Sequence, residues 1–156
     1  MFNNLRGSKR VSVYLEDEGI EARVITLDES TRTSQLAANA LGCTVAEIAK
    51  SIAFKAGEQA VVVVISGDRR VDANKVSAYL GFKIVNADAE TVKELTGYSI
   101  GGVPPFPHTP NVKVILDKSL TRFEKVWAAA GTPNSVMDLT VDQLKSIVGD
   151  FVDVAI

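Results

Sequence analysis

The sequence predicts an α+β fold: a single compact domain over 1–156, with a mixed, largely antiparallel sheet and helices around it. Three observations carry this. Strand-like and helix-like segments are interspersed along 156 residues, a length typical of one domain. Many strand-to-strand links are too short to hold a crossover helix, which disfavours an all-parallel sheet. Hydrophobic residues make up 46% and charged residues 23%, ordinary values for a globular chain able to bury a core.

The elements follow in order. Ser8 is placed to cap a first helix over Lys9–Glu18, with Val11, Tyr14 and Leu15 on one face and Gly19 closing it. Ala22–Leu27 alternates as a strand. Thr33 or Ser34 opens a second helix that Gly42 ends, and Thr44-x-x-Glu47 is a capping-box pattern for a short helical turn. Lys50–Lys55 and Ala60–Ser66 are strands of a hairpin turned by Ala56-Gly57-Glu58-Gln59. Asp72 caps a helix stopped by Gly81, Lys83–Asn86 is a short strand, and Asp88 caps a helix to about Leu95. After a Pro/Gly loop come strands at Val112–Leu116, Lys125–Ala130 and Ser135–Leu139. Thr140 with Gln143 starts a last helix to about Val148, and Phe151–Ala155 is a closing strand.

Composition excludes several function classes. One cysteine forbids an internal disulfide, and one cysteine with one histidine leaves no Cys/His zinc set within a chain. No metal or cofactor is expected, and a reducing cytoplasm is the natural compartment. A net charge of −2 does not suit a protein that wraps a long nucleic acid, so no DNA partner is expected and any RNA contact must be small and local. The longest purely apolar run, Ala60–Ile65, cannot span a bilayer, and the basic stretch Met1–Arg10 has no following apolar segment of the kind a secretory signal needs. No P-loop, GxGxxG or HExxH is present.

Two segments could carry chemistry. Tyr98–His108, YSIGGVPPFPH, holds three of the five prolines next to Gly101-Gly102. Such a stiff, uncharged loop with accessible amides suits a carbonyl oxygen or an amino-acid backbone, and it equally suits a plain connector. In Ile48-Ala49-Lys50-Ser51-Ile52-Ala53-Phe54, alternation puts Lys50 on one face with Ile52 and Phe54, and Ser51 on the other with Ala53. Lys50 then either snorkels at a sheet margin or points its ammonium into a cleft, where it could hold a phosphate or polarise a carbonyl. Asp72 reads as a helix cap, Arg69 and Arg70 as turn residues, and Arg70 or Lys75 could reach a phosphate. His108 is the only imidazole, and no Ser-His-Asp arrangement can be argued from it.

These residues, taken in order, resemble a known family. Ala40-Leu41-Gly42, Ile48-Ala49-Lys50-Ser51-Ile52, Val71-Asp72-x-x-Lys75-Val76, Thr96-Gly97-Tyr98-x-x-Gly101-Gly102-Val103-x-Pro105, Val114-Ile115-Leu116-Asp117 and Ala129-Ala130-Gly131 follow one another as in the YbaK/EbsC family of aminoacyl-tRNA deacylases. These are relatives of the editing domain inserted in bacterial prolyl-tRNA synthetase, and the resemblance runs from about Ile20 to the C-terminus. It implies hydrolysis of the ester of a mischarged tRNA, with a small amino acid such as alanine or cysteine removed, from tRNA(Pro) above all. It further implies a water nucleophile assisted by the terminal ribose hydroxyl of the substrate. The implied partners are the acceptor end of aminoacyl-tRNA and prolyl-tRNA synthetase.

Carried over by motif, Lys50 is the key lysine and Gly101 to Pro105 the Gly-x-x-x-Pro loop, with Gly101 and Gly102 the expected catalytic amides. Ser51, Tyr98, Val103, Pro105, Asp117 and Gly131 are the expected substrate contacts, and Arg70 and Lys75 the tRNA contacts. Pro104 and Pro107 stiffen the loop beyond the motif. The alternative is a non-catalytic module that holds an aminoacyl acceptor end or docks on a synthetase.

Overall fold

The structure, a computed structural model, describes residues 5–28 and 33–156; the first four residues of the basic N-terminal stretch lie outside them. Among the described residues eight strands form one mixed sheet, mostly antiparallel, with five α-helices around it. The strands are β1 (Val24–Thr26), β2 (Ile48–Ala56), β3 (Gln59–Ser66), β4 (Val85–Asn86), β5 (Val112–Asp117), β6 (Lys125–Ala129), β7 (Ser135–Thr140) and β8 (Phe151–Val152). The helices are α1 (Gly7–Asp17), α2 (Ser34–Leu41), α3 (Ala73–Leu80), α4 (Ala89–Thr96) and α5 (Val141–Ile147). None of these helices is long and apolar enough to cross a membrane.

The core is built from the alternation of the central hairpin. β2 pairs antiparallel with β3 from Ala49↔Ser66 to Ala56↔Gln59, and β3 is buried from Ala60 to Ser66 because helices or connecting segments cover both faces. Val61, Val63 and Ile65 pack one way against Phe54, Val76 of α3, Ile84 and Val154. Val62 and Val64 pack the other way with Ala49, against Val11 and Leu15 of α1, Val92 of α4 and Leu144 of α5. A third, smaller cluster seats Ala37 and Ala38 of α2 on Ile48 and Trp127.

The sheet runs β1-β7-β6-β2-β3-β5-β8, and β4 also pairs with β2. One consequence of this order positions the site. On the edge away from β3, β2 has two partners in succession. β6 runs parallel to it at Ile48↔Trp127 and Ala49↔Ala128, and β4 runs antiparallel at Phe54↔Asn86 and Lys55↔Val85. Between them, Lys50–Ala53 has no strand beside it among the described residues.

The expected caps form on α2 to α5 and fail on α1. Thr33, Asp72, Asp88 and Thr140 accept from the first-turn amides of α2, α3, α4 and α5, and Gly42, Gly81 and Gly97 end their helices in the left-handed conformation. The Glu47 carboxylate accepts from the Thr44 amide and hydroxyl, so the expected turn forms at Val45–Glu47. Several elements differ. Helix α1 begins at Gly7 with Arg6 at its N-cap position, so Ser8 lies inside the first turn and does not cap it. β1 and β4 are shorter than the alternation suggests. Residues 153–155 leave the sheet after Val152, where Lys75 holds the Ala155 carbonyl and Ala155 bridges Val71. A 3-10 turn at Lys118–Arg122, capped by Asp117, had no apolar period to reveal it.

Candidate active site

The gap along β2 opens into a cleft of about 600 Å³. Its floor is β2 from Ile48 to Ala53 together with Trp127, Ala128 and Ala129 of β6. The first turn of α2 forms one wall; Ile100, Gly101 and Val103 of the Gly/Pro loop, with Val92 of α4, line the cleft as well. Lys50 and Ser51 therefore meet the Gly101–Val103 segment across an apolar space, although about fifty residues separate them in the chain.

Lys50 is half-buried, and its Nζ donates to the Gly67 carbonyl at 3.5 Å, the long end of a hydrogen bond. Burial pulls its pKa below the ordinary lysine value; the Asp68 carboxylate opposes that pull and the Arg70 guanidinium adds to it. Asp68 is itself held by Arg122 in a two-pronged contact (2.7 and 3.1 Å) and by Arg69 at 2.8 Å, which keeps its carboxyl below the usual range. Gly67 is required where it stands: a Cβ there would lie 2.4 Å from the Val45 carbonyl oxygen and 2.9 Å from Ser34 Oγ. The backbone carbonyl that receives Lys50 thus sits between β3 and the start of α2.

Ser51 points to the opposite face of β2, as the alternation requires, and its Oγ is buried with no hydrogen-bond partner. Gly101 takes a positive φ of 85° and lines the cleft. Gly102 does not. Its N–H donates to Ser99 O and its carbonyl accepts from the Gly131 N–H, so that amide is already committed within the loop. A Cβ on Gly102 would lie 2.7 Å from the Thr132 carbonyl carbon, and one on Gly131 would lie 2.4 Å from Gly7. Both glycines serve close backbone packing behind the cleft wall.

The remaining expected contacts separate. Val103 lines the cleft, whereas Pro105 faces a shallower cavity behind the loop with Tyr14, Phe106 and His108. Tyr98 is fully buried on that rear side. Its hydroxyl donates to Pro107 O at 2.9 Å, the Arg10 guanidinium lies 4.8 Å from its ring centre, and His108 meets it edge-on. Burial raises the Tyr98 pKa and pushes that of His108 down to about 4, so His108 is neutral at pH 7 and its Nε2–H donates to Pro104 O at 2.7 Å. Asp117 is buried and spent on two amides, those of Ser119 and Val154. Lys75 is tied to Asp153 and to Ala155 O, away from the cleft. Arg70 is exposed and close enough to shift Lys50.

The structure adds residues that sequence reasoning did not assign to a site: Gly67, Asp68, Val92, Trp127, and Thr33 to Gln35. A glycine directly after the most apolar strand was a readable signal for Gly67. Nothing local signalled Trp127, which reaches the cleft through parallel pairing of β6 with β2.

Comparison with known proteins shows the family and the fold. The model of the aminoacyl-tRNA editing domain matches residues 28–147. An uncharacterized Bacillus subtilis strain 168 protein, YwhH, is 36% identical over 137 residues, covering 87% of each chain. The multifunctional Ser/Thr-tRNA deacylase ProXp-y of Escherichia coli strain K12 is 27% identical over 143 residues, covering 88% of this chain and 86% of that one. A crystal structure described as that of a candidate trans-editing enzyme for prolyl-tRNA synthetase superposes with a TM-score of 0.87 at 36% identity, covering 96% of both chains. The chain belongs to the aminoacyl-tRNA editing domain family.

Proposed function

We propose that residues 1–156 form one editing domain that hydrolyses the ester of a mischarged tRNA in the cytoplasm, with tRNA(Pro) carrying a small wrong amino acid as its substrate. Membership of the family makes the chain an aminoacyl-tRNA deacylase. The observation that carries the finer reading is Lys50 and Gly101 on one apolar cleft, a cation and a main-chain loop around a space that fits an aminoacyl ester. Lys50 holds the terminal phosphate or the ester carbonyl, and the apolar wall takes the acyl side chain. A water attacks the carbonyl carbon, the bond to the ribose oxygen breaks, and that oxygen leaves with a proton as the terminal hydroxyl. An aminoacyl ester is activated enough for positioning and electrostatics to suffice. The only histidine lies behind the loop, neutral and hydrogen-bonded, which fits a reaction that takes its proton relay from the substrate's ribose hydroxyl.

Alanine or cysteine is the acyl group that a mostly apolar cleft suits. The unpartnered Ser51 Oγ favours a second reading, serine or threonine, whose hydroxyl would satisfy it. The test is amino-acid release from tRNA(Pro) charged with alanine, cysteine, serine, threonine or proline, with wild type and Lys50→Ala side by side. Release of one wrong amino acid, lost in the variant and absent for proline, is expected. Binding of the acceptor end without any release would make the protein a non-catalytic module.

A further inference from the structure

The edge of β2 carries more information than its side chains. The Gly67 N–H donates to the Ile48 carbonyl at 2.8 Å, which makes Ile48 a residue whose main chain faces β3. In an antiparallel pair this orientation alternates along the strand. Ile48, Lys50, Ile52 and Phe54 therefore turn their N–H and C=O toward β3, and Ala49, Ser51, Ala53 and Lys55 turn theirs to the opposite edge. Across the hairpin the Ser66 N–H, opposite Ala49, is directed away from β2 to Ser119 Oγ, in the same phase. On the opposite edge Ala49 meets β6, Lys55 meets β4, and Ala53 adjoins the Phe54↔Asn86 pair. Ser51 stands in the middle of the gap, on the cleft floor, with no partner strand beside it among the described residues. A main-chain donor and acceptor side by side on a cleft floor are a ready template for one more residue.

We propose that the aminoacyl group of the substrate occupies this gap as a single antiparallel strand residue paired with Ser51. The inference rests on the deacylase reading above. The Ser51 N–H donates to the ester carbonyl oxygen and remains on it as that oxygen gains negative charge, while the Ser51 carbonyl accepts from the α-ammonium. This supplies the oxyanion donor that Gly102 cannot, because the Gly102 amide is committed to Ser99 O.

Two features of the site follow from the pairing and agree with its geometry. Directly opposed residues in an antiparallel pair place their side chains on the same face. An L-amino acid therefore directs its side chain to the Ser51 face, where Val92 and Val103 lie with the buried Ser51 Oγ. The acyl group also runs antiparallel to β2, so its ester oxygen and ribose point back toward Lys50 and the Ala49 end. Lys50 and Gly67 then stand at the nucleotide end of the substrate, and Val103 and Val92 at the acyl end. A D-amino acid in the same pairing would direct its side chain to the Lys50 face.

Ser51→Pro is the direct test, because proline is tolerated where a strand N–H faces away from the ladder, and here it removes the donor aimed at the cleft together with the hydroxyl while sparing the bonds to β3. Ser51→Ala keeps that donor and reads the hydroxyl separately. Single-turnover rates on the best substrate should fall by about a hundredfold or more in Ser51→Pro and by less than about tenfold in Ser51→Ala, the scale of one lost oxyanion donor. A folded Ser51→Pro as fast as Ser51→Ala overturns the proposal. A substrate arm holds even where the proline variant fails to fold: with each rate divided by that ester's uncatalysed hydrolysis, wild type should cleave the des-amino ester, propionyl in place of alanyl, at least about tenfold more slowly than the aminoacyl ester, and equal normalised rates overturn the pairing. If wild type cleaves no aminoacyl-tRNA, the deacylase reading fails on its own. The pairing is then read by binding of an amide-linked alanyl-adenosine, whose affinity should drop about tenfold on replacing alanyl by propionyl and on Ser51→Pro; unchanged affinity overturns it.

Discussion

The front and the rear of the Gly/Pro loop are made from neighbouring residues of one segment and have opposite characters. At the rear, Tyr98 and Thr96 are buried and His108 largely so; the Tyr98 hydroxyl, the Thr96 hydroxyl and the His108 Nε2 are each bonded to a carbonyl, those of Pro107, Val92 and Pro104, while the His108 Nδ1 has no partner. At the front, across the cleft, Lys50 has one long hydrogen bond and Ser51 Oγ has none. Three side-chain bonds to carbonyls hold the rear in one state, whereas Lys50 and Ser51 line a cleft, where under-satisfied groups can take a ligand and lower stability meanwhile. The rear is therefore a brace and the front a receptor.

The largest expected effect separates the two. Lys50→Met keeps the methylene stem and deletes the charge, so it should lower the deacylation rate by about a hundredfold or more while leaving thermal stability equal or higher, since a desolvated ammonium is lost. Tyr98→Phe should do the reverse. Removing the hydroxyl strands a buried carbonyl at Pro107, at about 1–3 kcal/mol of stability, with the rate per folded molecule retained. Paired melting curves and rates check both, and a Lys50→Met protein that melts well below wild type would make the lysine part of the brace.

Gly102→Ala tests how tightly the brace is coupled to the cleft wall. Its Cβ would lie 2.7–3.0 Å from Thr132 backbone atoms, which cannot swing aside as a side-chain tip can. A loss of about 1–3 kcal/mol is expected in chemical denaturation. Because Gly101 is the next residue and lines the cleft, KM should rise with it. An unchanged melting point would show that the segment around Thr132 yields.

The hairpin, the helix caps at Asp72, Asp88 and Thr140, and the closing glycines were legible because each is decided within a few residues. So was the face of β2 that carries Lys50. What sequence could not supply was the long-range pairing of β2 with β6 and then β4, and hence the gap at Lys50–Ala53 that makes a cleft at all. The same limit separated Tyr98 and Asp117 from the site. Tyr98 stands in a motif beside cleft residues, yet chain adjacency does not say which side of a wall a side chain faces; the motif of Asp117 holds no cleft residue. Tyr98 fell behind the loop, and Asp117 went to two amides elsewhere.

The brace also has a pH signature. His108 is buried neutral, with its pKa pushed from 6.5 down to about 4 by burial, and with Arg10 adding to that fall while the Pro104 carbonyl opposes it. A depressed folded-state pKa gives stability that is present above about pH 6.5 and is lost as pH falls toward about 4. Melting temperature should decline over that window in wild type and less steeply in His108→Gln. Parallel declines would place the acid sensitivity elsewhere.

The smallest effect probes the receptor through its second layer of charge. Lys50 acts as an ammonium in the proposed reaction, so activity should fall as pH rises through its pKa, which burial has already drawn below the ordinary lysine value. Asp68 favours the charged form and Arg70 disfavours it. Asp68→Asn should therefore move the alkaline limb of the rate profile to lower pH, and Arg70→Gln should move it to higher pH, with each shift much smaller in consequence than deleting the charge. Opposite displacements would identify Lys50 as the titrating group, because a merely structural role for Asp68, which also anchors Arg122, would change the height of the profile without moving its limb. Displacements in the same direction would assign the limb to another group and leave Lys50 a fixed charge throughout the measured range.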